Sequence, residues 1–90
     1  MWHAEYAPTF LKDYEQLPQA IRKRVKSIAF GEEILNDPFL GGQVRKLAGY
    51  ESYYRIRVGD YRIGLQLDLE RQVIEFRRVL HRGRIYRAFP

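Results

Sequence analysis

The chain has 90 residues, of which 46% are hydrophobic and 14% aromatic, and it contains no cysteine. These values predict one compact domain over residues 1–90 and exclude an intrinsically disordered chain, disulfide bonds and zinc sites built on cysteine. The net charge is +5, and the whole excess lies in residues 53–90, which hold nine arginines and four acidic residues. Because arginine binds phosphate oxygens in pairs and stacks on bases, this distribution favours a nucleic-acid partner over a merely solvated basic surface.

The location expected from the sequence is the cytoplasm. The start of the chain lacks the basic and apolar segments of a signal peptide, and no apolar run approaches the roughly 18 residues of a membrane span. The absence of cysteine fits a reducing compartment. We therefore expect a soluble protein that has no membrane partner and needs no cofactor. Since His3 and His81 are the only histidines, we also expect no metal site.

The first half of the chain has the pattern of one strand and two helices. Residues 1–7 alternate apolar and polar side chains, which predicts a short strand. Pro8 suits a helix start, and a helix of about two turns follows until Pro18 ends it. A second helix is predicted from Gln19 to Asn36, because its apolar side chains share one face: Ile21, Val25, Ile28 and Leu35. The two helices would form a helical hairpin.

The second half has the period of β-strands. Residues 44–47 predict a short strand, and in the next one an apolar set alternates with a polar set that contains Arg55 and Arg57. After a turn at Gly59-Asp60, the following strand repeats the alternation and puts Arg62 on the polar side. We expect the three arginines to share one exposed face, where truncating Arg62 would not disturb the core. The apolar sets are Tyr54, Ile56, Val58, Tyr61, Ile63, Leu65 and Leu67.

The last strand contains a change of phase. Ile74 and Phe76 keep the two-residue period, whereas Val79 is one residue out of step. This predicts a β-bulge at Arg77-Arg78, and bulges often change the direction of side chains near functional sites. After Gly83, residues 84–90 are predicted to form a short tail or a single helical turn.

Four segments in this order carry a family resemblance. They are Leu17-Pro18, the Lys-Leu-Ala-Gly of residues 46–49, Tyr-Arg-Ile-Arg-Val-Gly-Asp-Tyr-Arg-Ile at 54–63 and Val-Leu-His-Arg-Gly-Arg-Ile-Tyr at 79–86. The chain resembles the RelE/ParE superfamily of toxins from type II toxin–antitoxin systems, and its RelE branch more than its ParE branch. The resemblance covers nearly the whole chain. It implies an α+β fold of the RelE-like microbial RNase type, with an N-terminal strand, a helical hairpin and then an antiparallel sheet of three to four strands.

The resemblance also implies a function. RelE-like toxins are mRNA interferases, metal-independent endoribonucleases that cut messenger RNA in the ribosomal A site and so inhibit translation and arrest growth. The 2′-hydroxyl attacks the adjacent phosphate, which leaves a 2′,3′-cyclic phosphate and a 5′-hydroxyl end. The implied partners are a RelB-like antitoxin, the ribosome and messenger RNA. Two alternatives stay open: a ParE-like inhibitor of DNA gyrase and a catalytically inactive RNA-binding domain.

The functional residues of the family match positions of this chain one by one. Two basic positions of the first hairpin strand fall on Arg55 and Arg57, and the arginine of the Gly-x-Tyr-Arg element falls on Arg62. The late catalytic arginine falls on Arg82 with His81 beside it, and the base-stacking or catalytic tyrosine falls on Tyr86. We expect RNA contacts from Arg55, Arg57, Arg77 and Arg84. Structural roles stay open as well, namely a salt bridge for Arg62, a strand-end cap for His81 and a packed anchor for Tyr86.

The chain departs from the family pattern at the general base. RelE proteins carry lysines where this chain has Arg55 and Arg57, and arginine hardly accepts a proton at neutral pH because its pKa exceeds about 12. The base is therefore His81, a carboxylate such as Glu51 or Glu75, or water. The resemblance further implies bulkier residues at positions 64 and 65, where this chain has Gly64 and Leu65.

Overall fold

The structure is a computed structural model that describes all 90 residues. Its strands and helices alternate in the order expected for an α+β domain. In chain order they are β1 His3–Tyr6, α1 Pro8–Glu15, α2 Gln19–Ala29, α3 Glu33–Asn36, a 3-10 turn at Leu40–Gly42, β2 Val44–Lys46, β3 Tyr53–Val58, β4 Tyr61–Asp68, β5 Val73–His81 and α4 Arg82–Ala88. No helix combines the length and the apolar composition that crossing a membrane requires.

All strands belong to one sheet with the order β1-β5-β4-β3-β2. Strands β2 to β5 pair antiparallel with their neighbours, which confirms the predicted antiparallel sheet. The N-terminal strand adds a fifth, parallel strand, because β1 pairs with β5 and places His3 opposite Val73. The helices α1 and α2 form the connection between β1 and the rest of the sheet, so the predicted helical hairpin is confirmed.

The two faces of the sheet differ in chemistry. One face packs against α1 and α2 in a cluster of 15 buried residues that includes Phe10, Val25, Ile56 and Phe76. The alternation of β3 and β4 places their apolar side chains in this core, as predicted. The opposite face carries the arginines of β3 and β4 and is partly covered by α4. The hydrophobic core therefore leaves the basic face free for a partner.

The second helix ends earlier than predicted. α2 stops at Ala29, and only Glu33–Asn36 is helical in the remaining part of the predicted range. The Ala29 carbonyl accepts a hydrogen bond from the Tyr6 hydroxyl at 2.6 Å in place of the next helical N–H, and the Phe30 ring stacks on Tyr6 at 4.7 Å. A side chain at Gly31 would lie 2.2 Å from the Ser27 carbonyl oxygen, so the chain turns here on a glycine.

The predicted bulge in the last strand is present. Leu65 pairs with Phe76 and Gly64 pairs with Arg78, which leaves Arg77 without a partner in β4. The Asp13 carboxylate in α1 accepts hydrogen bonds from the Arg78 guanidinium at 2.7 and 3.1 Å and from the Val79 amide at 3.2 Å. The hydrogen bond to Asp13 raises the pKa of Arg78, against a smaller opposing effect of burial. Asp13 thus fastens α1 to the bulge.

We predict that Asp13→Ala lowers the free energy of unfolding by about 2 kcal/mol, because it leaves a partly buried arginine and a backbone amide unpaired. The Asp13 side chain is only 11% exposed, so solvent does not replace the lost partner well. Urea denaturation measures the change. Glu15→Ala is the matched control, since Glu15 is an exposed acid of the same helix without an ion pair, and we expect it to stay within about 0.5 kcal/mol. Equal losses in both variants would contradict this role of Asp13.

Candidate functional site

The basic face of the sheet contains a cavity of about 650 Å³, which we call the arginine cavity. Its floor is formed by β2, β3 and β4, one wall by the loop of residues 41–43, and the other wall by α4. Four guanidinium groups and one phenol line it, with no acidic side chain among them: Arg45, Arg55, Arg57, Arg62 and Tyr86. The cavity therefore carries a formal charge of +4.

The register of the sheet brings these arginines together. Arg45 lies directly opposite Arg55, and Arg57 lies directly opposite Arg62. Like charges in opposed positions of an antiparallel pair destabilise a sheet. None of the four forms an ion pair, since the two salt bridges of the molecule join Arg77 to Glu75 and Arg78 to Asp13. An arrangement that costs stability and lacks counter-charges is typical of a binding site for an anion.

Arg62 differs from the expectation of an exposed residue. It is only 6% exposed, and its guanidinium donates hydrogen bonds to the carbonyls of Gly59 and Tyr61, both at 2.9 Å. The prediction that truncating Arg62 leaves the core undisturbed is therefore wrong: alanine would leave two carbonyl groups without this donor and open a void in the β3–β4 hairpin. The structural alternative for Arg62 was a salt bridge, and Arg62 forms none; its structural contacts are these two hydrogen bonds to backbone carbonyls.

The C-terminal helix holds Tyr86 over the cavity. The predicted tail or single turn is a seven-residue helix, α4, that packs through Ile85 and Phe89 against Leu80 of β5. Tyr86 lies on the side of α4 that borders the arginine cavity and is 65% exposed, and its hydroxyl accepts a hydrogen bond from Arg55 at 3.4 Å. Tyr86 is thus not a buried anchor of the tail; its neighbours Ile85 and Phe89 have that role.

The structure explains why this chain has a glycine at position 64, where the family resemblance implies a bulkier residue. Gly64 lies beneath Phe89, and a Cβ atom added at this position would come within 2.7 Å of the Phe89 ring. The space that a bulkier residue would need is therefore filled from α4.

We predict that Gly64→Ala costs about 1 to 3 kcal/mol of stability through overpacking and displaces α4 together with Tyr86. Phe89→Ala should also destabilise the protein when it is made alone, because it empties a buried position. In the double variant the added methyl group occupies part of the vacated space, so its loss should be smaller than the sum of the two single losses. Unfolding free energies of the three variants test this, and additive losses would refute the direct contact.

Three residues of the expected site lie outside the arginine cavity. His81 is the residue before α4, and its Nδ1 accepts a hydrogen bond from the Gly83 amide at 3.2 Å. This hydrogen bond is the strand-end cap expected as the structural alternative for His81. Arg82 is the first residue of α4, with an exposed side chain and a backbone amide bound to the Asp60 carbonyl at 2.8 Å. Arg84 is exposed on the same helix.

The remaining expected residues lie toward the other end of the sheet. Arg77 pairs with Glu75 at 3.3 Å and lies over the Tyr53 ring at 5.8 Å from its centre. Glu75 and Glu51 both line a second, largely acidic depression around the β4–β5 turn. Neither of the two proposed carboxylate bases therefore lines the arginine cavity.

Arg45 was not expected at the site from the sequence. The information was present in part, because residues 44–47 were predicted as a strand, and successive side chains of a strand point to opposite faces of a sheet. What was missing is the pairing of this strand with β3, which places Arg45 beside Arg55. The loop before β2 was also unexpected at the site; its position depends on Asp37, whose carboxylate accepts hydrogen bonds from the amides of Phe39 and Gly41 at 3.1 and 2.8 Å.

The geometry defines what the cavity can bind. Guanidinium groups on three adjacent strands provide forked donors, which match the non-bridging oxygens of a phosphodiester. They also provide fixed positive charge where a phosphate gains negative charge during transfer. A basic cavity with an exposed tyrosine at its rim is suited to a single strand, because the phosphates contact the arginines and an unpaired base can stack on the ring.

Comparison with known proteins identifies the family to which the chain belongs. The family described as the ParE toxin of the type II toxin–antitoxin system parDE matches residues 4–86. The chain belongs to this family, within the RelE/ParE superfamily of toxins, as the sequence motifs predicted.

Individual relatives of the chain include RelE toxins. The chain is 48% identical to toxin RelE3 of Methanocaldococcus jannaschii over 88 residues, which cover 94% of this chain and 96% of the relative. It superposes with a TM-score of 0.76 on a chain of the RelB–RelE antitoxin–toxin complex from Methanococcus jannaschii, at 46% identity and over 96% of this chain and 99% of the other. An archaeal RelE–RelB complex from Pyrococcus horikoshii gives a TM-score of 0.73 at 26% identity, over 93% and 98% of the two chains.

Proposed function

We propose that this toxin is a ribosome-dependent endoribonuclease that cleaves messenger RNA, and that a RelB-like antitoxin silences it. The observation that carries the proposal is the arginine cavity, in which two directly opposed arginine pairs lie without any acidic partner. Such an arrangement favours an RNA phosphate over a protein surface as the ligand. A gyrase inhibitor has no need of a cavity that surrounds a phosphate.

In this proposal the cavity residues divide the work of phosphate transfer. Arg57 and Arg62 hold the scissile phosphate and stabilise the negative charge of the five-coordinate phosphorus. Arg55 positions the Tyr86 hydroxyl, which donates a hydrogen bond to the departing 5′-oxygen while water supplies the proton that makes it a 5′-hydroxyl. The 2′-hydroxyl attacks the adjacent phosphorus, and the products are a 2′,3′-cyclic phosphate and a 5′-hydroxyl. Water accepts the proton of the 2′-hydroxyl, since His81, Glu51 and Glu75 all lie outside the cavity.

The other expected residues have supporting roles in the proposal. Arg82 and Arg84 on α4 contact the RNA backbone outside the cavity, where their exposed side chains are free to do so. His81 holds the start of α4 through its bond to Gly83 and so helps to position Tyr86. Arg77 contributes least to RNA binding, because Glu75 already neutralises it.

The antitoxin partner follows from the same surface and from the relatives, two of which crystallised as RelB–RelE complexes. An acidic or amphipathic segment that folds on binding would neutralise the arginines and cover Tyr86. In such a complex the RNA could not enter the cavity.

Induced expression in bacteria tests the proposal. We expect expression of the chain alone to arrest growth, with incorporation of labelled amino acids falling before incorporation of labelled thymidine. Co-expression of the antitoxin encoded beside it should restore growth. Early DNA breaks with continued protein synthesis would contradict the nuclease and support gyrase as the target.

A further inference from the structure

A second cavity, of about 330 Å³, lies beside the arginine cavity. We call it the apolar pocket. Leu47 and Tyr50 from the β2–β3 loop form one side of it, and Ile85 and Phe89 from the C-terminal segment form the other. Six of its nine lining residues are hydrophobic, in contrast to one of eight in the arginine cavity. Two neighbouring cavities of opposite character therefore share the basic face.

The two cavities adjoin each other. Arg55, Arg62 and Tyr86 line both of them, so their side chains form the boundary between the charged and the apolar volume. A ligand that spans this boundary needs an anionic part on one side and a flat apolar part on the other. A nucleotide of single-stranded RNA has this construction, with a phosphate linked through ribose to a base whose two faces are apolar.

The side chains of the pocket are suited to stacking. Tyr50 is 47% exposed and contacts the Tyr53 ring edge-on at 5.7 Å between centres, and Tyr53 in turn contacts Phe89 edge-on at 5.5 Å. These contacts hold the Tyr50 ring at the mouth of the pocket while much of its surface remains accessible. An accessible ring supported by other aromatic side chains is the typical platform for an unpaired base.

We propose that the apolar pocket binds a nucleobase next to the phosphate held in the arginine cavity, with Tyr50 as the stacking residue. This inference rests on the proposed function, because it takes RNA to be the ligand. The charged side chains of the pocket are Arg55 and Arg62, and its other polar side-chain groups are the two tyrosine hydroxyls, so most of the wall offers no hydrogen bonds to the edge of a base. Binding in the pocket consequently depends on the presence of a base but depends little on which base it is, since any base can stack on an aromatic ring.

The test compares two labelled RNA hexamers of equal charge by fluorescence anisotropy at low salt: hexaadenylate, and the same backbone with every base removed. Tyr50→Ala should weaken hexaadenylate binding about tenfold and leave binding of the abasic strand unchanged. Tyr50→Phe keeps the ring and should bind like the unmodified protein. Ala48→Phe, which fills the pocket from its rim, should also weaken binding of hexaadenylate only. Thermal unfolding of each variant verifies the fold.

The outcomes separate this proposal from the proposed function. If Arg57→Ala weakens both hexamers but Tyr50→Ala affects neither, the base subsite is refuted and the RNA site remains. The subsite is also refuted if Tyr50→Ala weakens both hexamers equally, or if it weakens only binding of the purified antitoxin, which would assign the pocket to that protein. If the unmodified protein binds neither hexamer, or Arg57→Ala leaves binding unchanged, the proposed RNA site itself fails and the subsite with it.

Discussion

Arg57→Ala is expected to lower the rate of messenger RNA cleavage on programmed ribosomes by about a hundredfold to a thousandfold, because it removes one fixed charge at the phosphate in the transition state. Arg57 is exposed, lies opposite Arg62 in the sheet and has no acidic partner. Removing it relieves repulsion between like charges, so the free energy of unfolding should stay constant or rise by a few tenths of a kcal/mol. A loss of activity without a loss of stability distinguishes a functional charge from a structural one.

Arg71→Ala is the matched control for this variant. It removes the same charge from the exposed β4–β5 turn, where Arg71 borders the acidic depression and not the arginine cavity. We expect its cleavage rate to equal that of the unmodified protein. If Arg71→Ala slowed cleavage as much as Arg57→Ala, the effect would reflect net charge alone and the arginine cavity would not be the site.

Binding of single-stranded RNA should depend steeply on salt. Each phosphate neutralised on a single strand changes the logarithm of the binding constant by about 0.7 per tenfold change in salt. Because Arg57 and Arg62 share the scissile phosphate, we expect the four arginines of the cavity to neutralise three phosphates, which gives a decrease of about 100-fold between 0.05 and 0.5 M salt. The measurement is the dissociation constant of a labelled oligonucleotide at several salt concentrations.

The salt series also identifies which residues contribute. Arg45→Ala should reduce the slope by about 0.7, since it removes the contact to one phosphate, and Arg57→Ala should reduce it by less, since Arg62 still contacts the same phosphate. Arg71→Ala should leave the slope unchanged. A binding constant that does not change with salt would contradict phosphate binding in the arginine cavity. A slope that falls equally in all three variants would contradict it as well.

The fold could largely be predicted from the sequence because its β-strands have a strict two-residue period. The alternation in β3 and β4 gave the core face, and the single phase change before Val79 gave the bulge at Arg77-Arg78. The end of α2 could not be predicted in the same way. It depends on a hydrogen bond from Tyr6 to the Ala29 carbonyl, between residues that are far apart in the sequence.

The site could be predicted where local alternation determines which way a side chain points. Arg55 and Arg57 follow from the strand pattern alone, whereas Arg45 required the pairing of β2 with β3. The burial of Arg62 depends on hydrogen bonds to the β3–β4 hairpin, which the period of the sequence does not specify. His81 and Arg82 are near in sequence to Tyr86, but only Tyr86 points into the cavity, because α4 begins at Arg82 and turns the chain.

Metal-independent cleavage of messenger RNA in the arginine cavity can be tested on ribosomes. The most direct measurement incubates the purified toxin with ribosomes that carry a defined message stalled at one codon, in the presence of a chelator, and maps both ends of every product. The proposed nuclease site should cut within the A-site codon and leave a 2′,3′-cyclic phosphate and a 5′-hydroxyl, and with Arg57→Ala the cut should be about a hundredfold to a thousandfold slower. An intact message, or products with a 5′-phosphate, would contradict it.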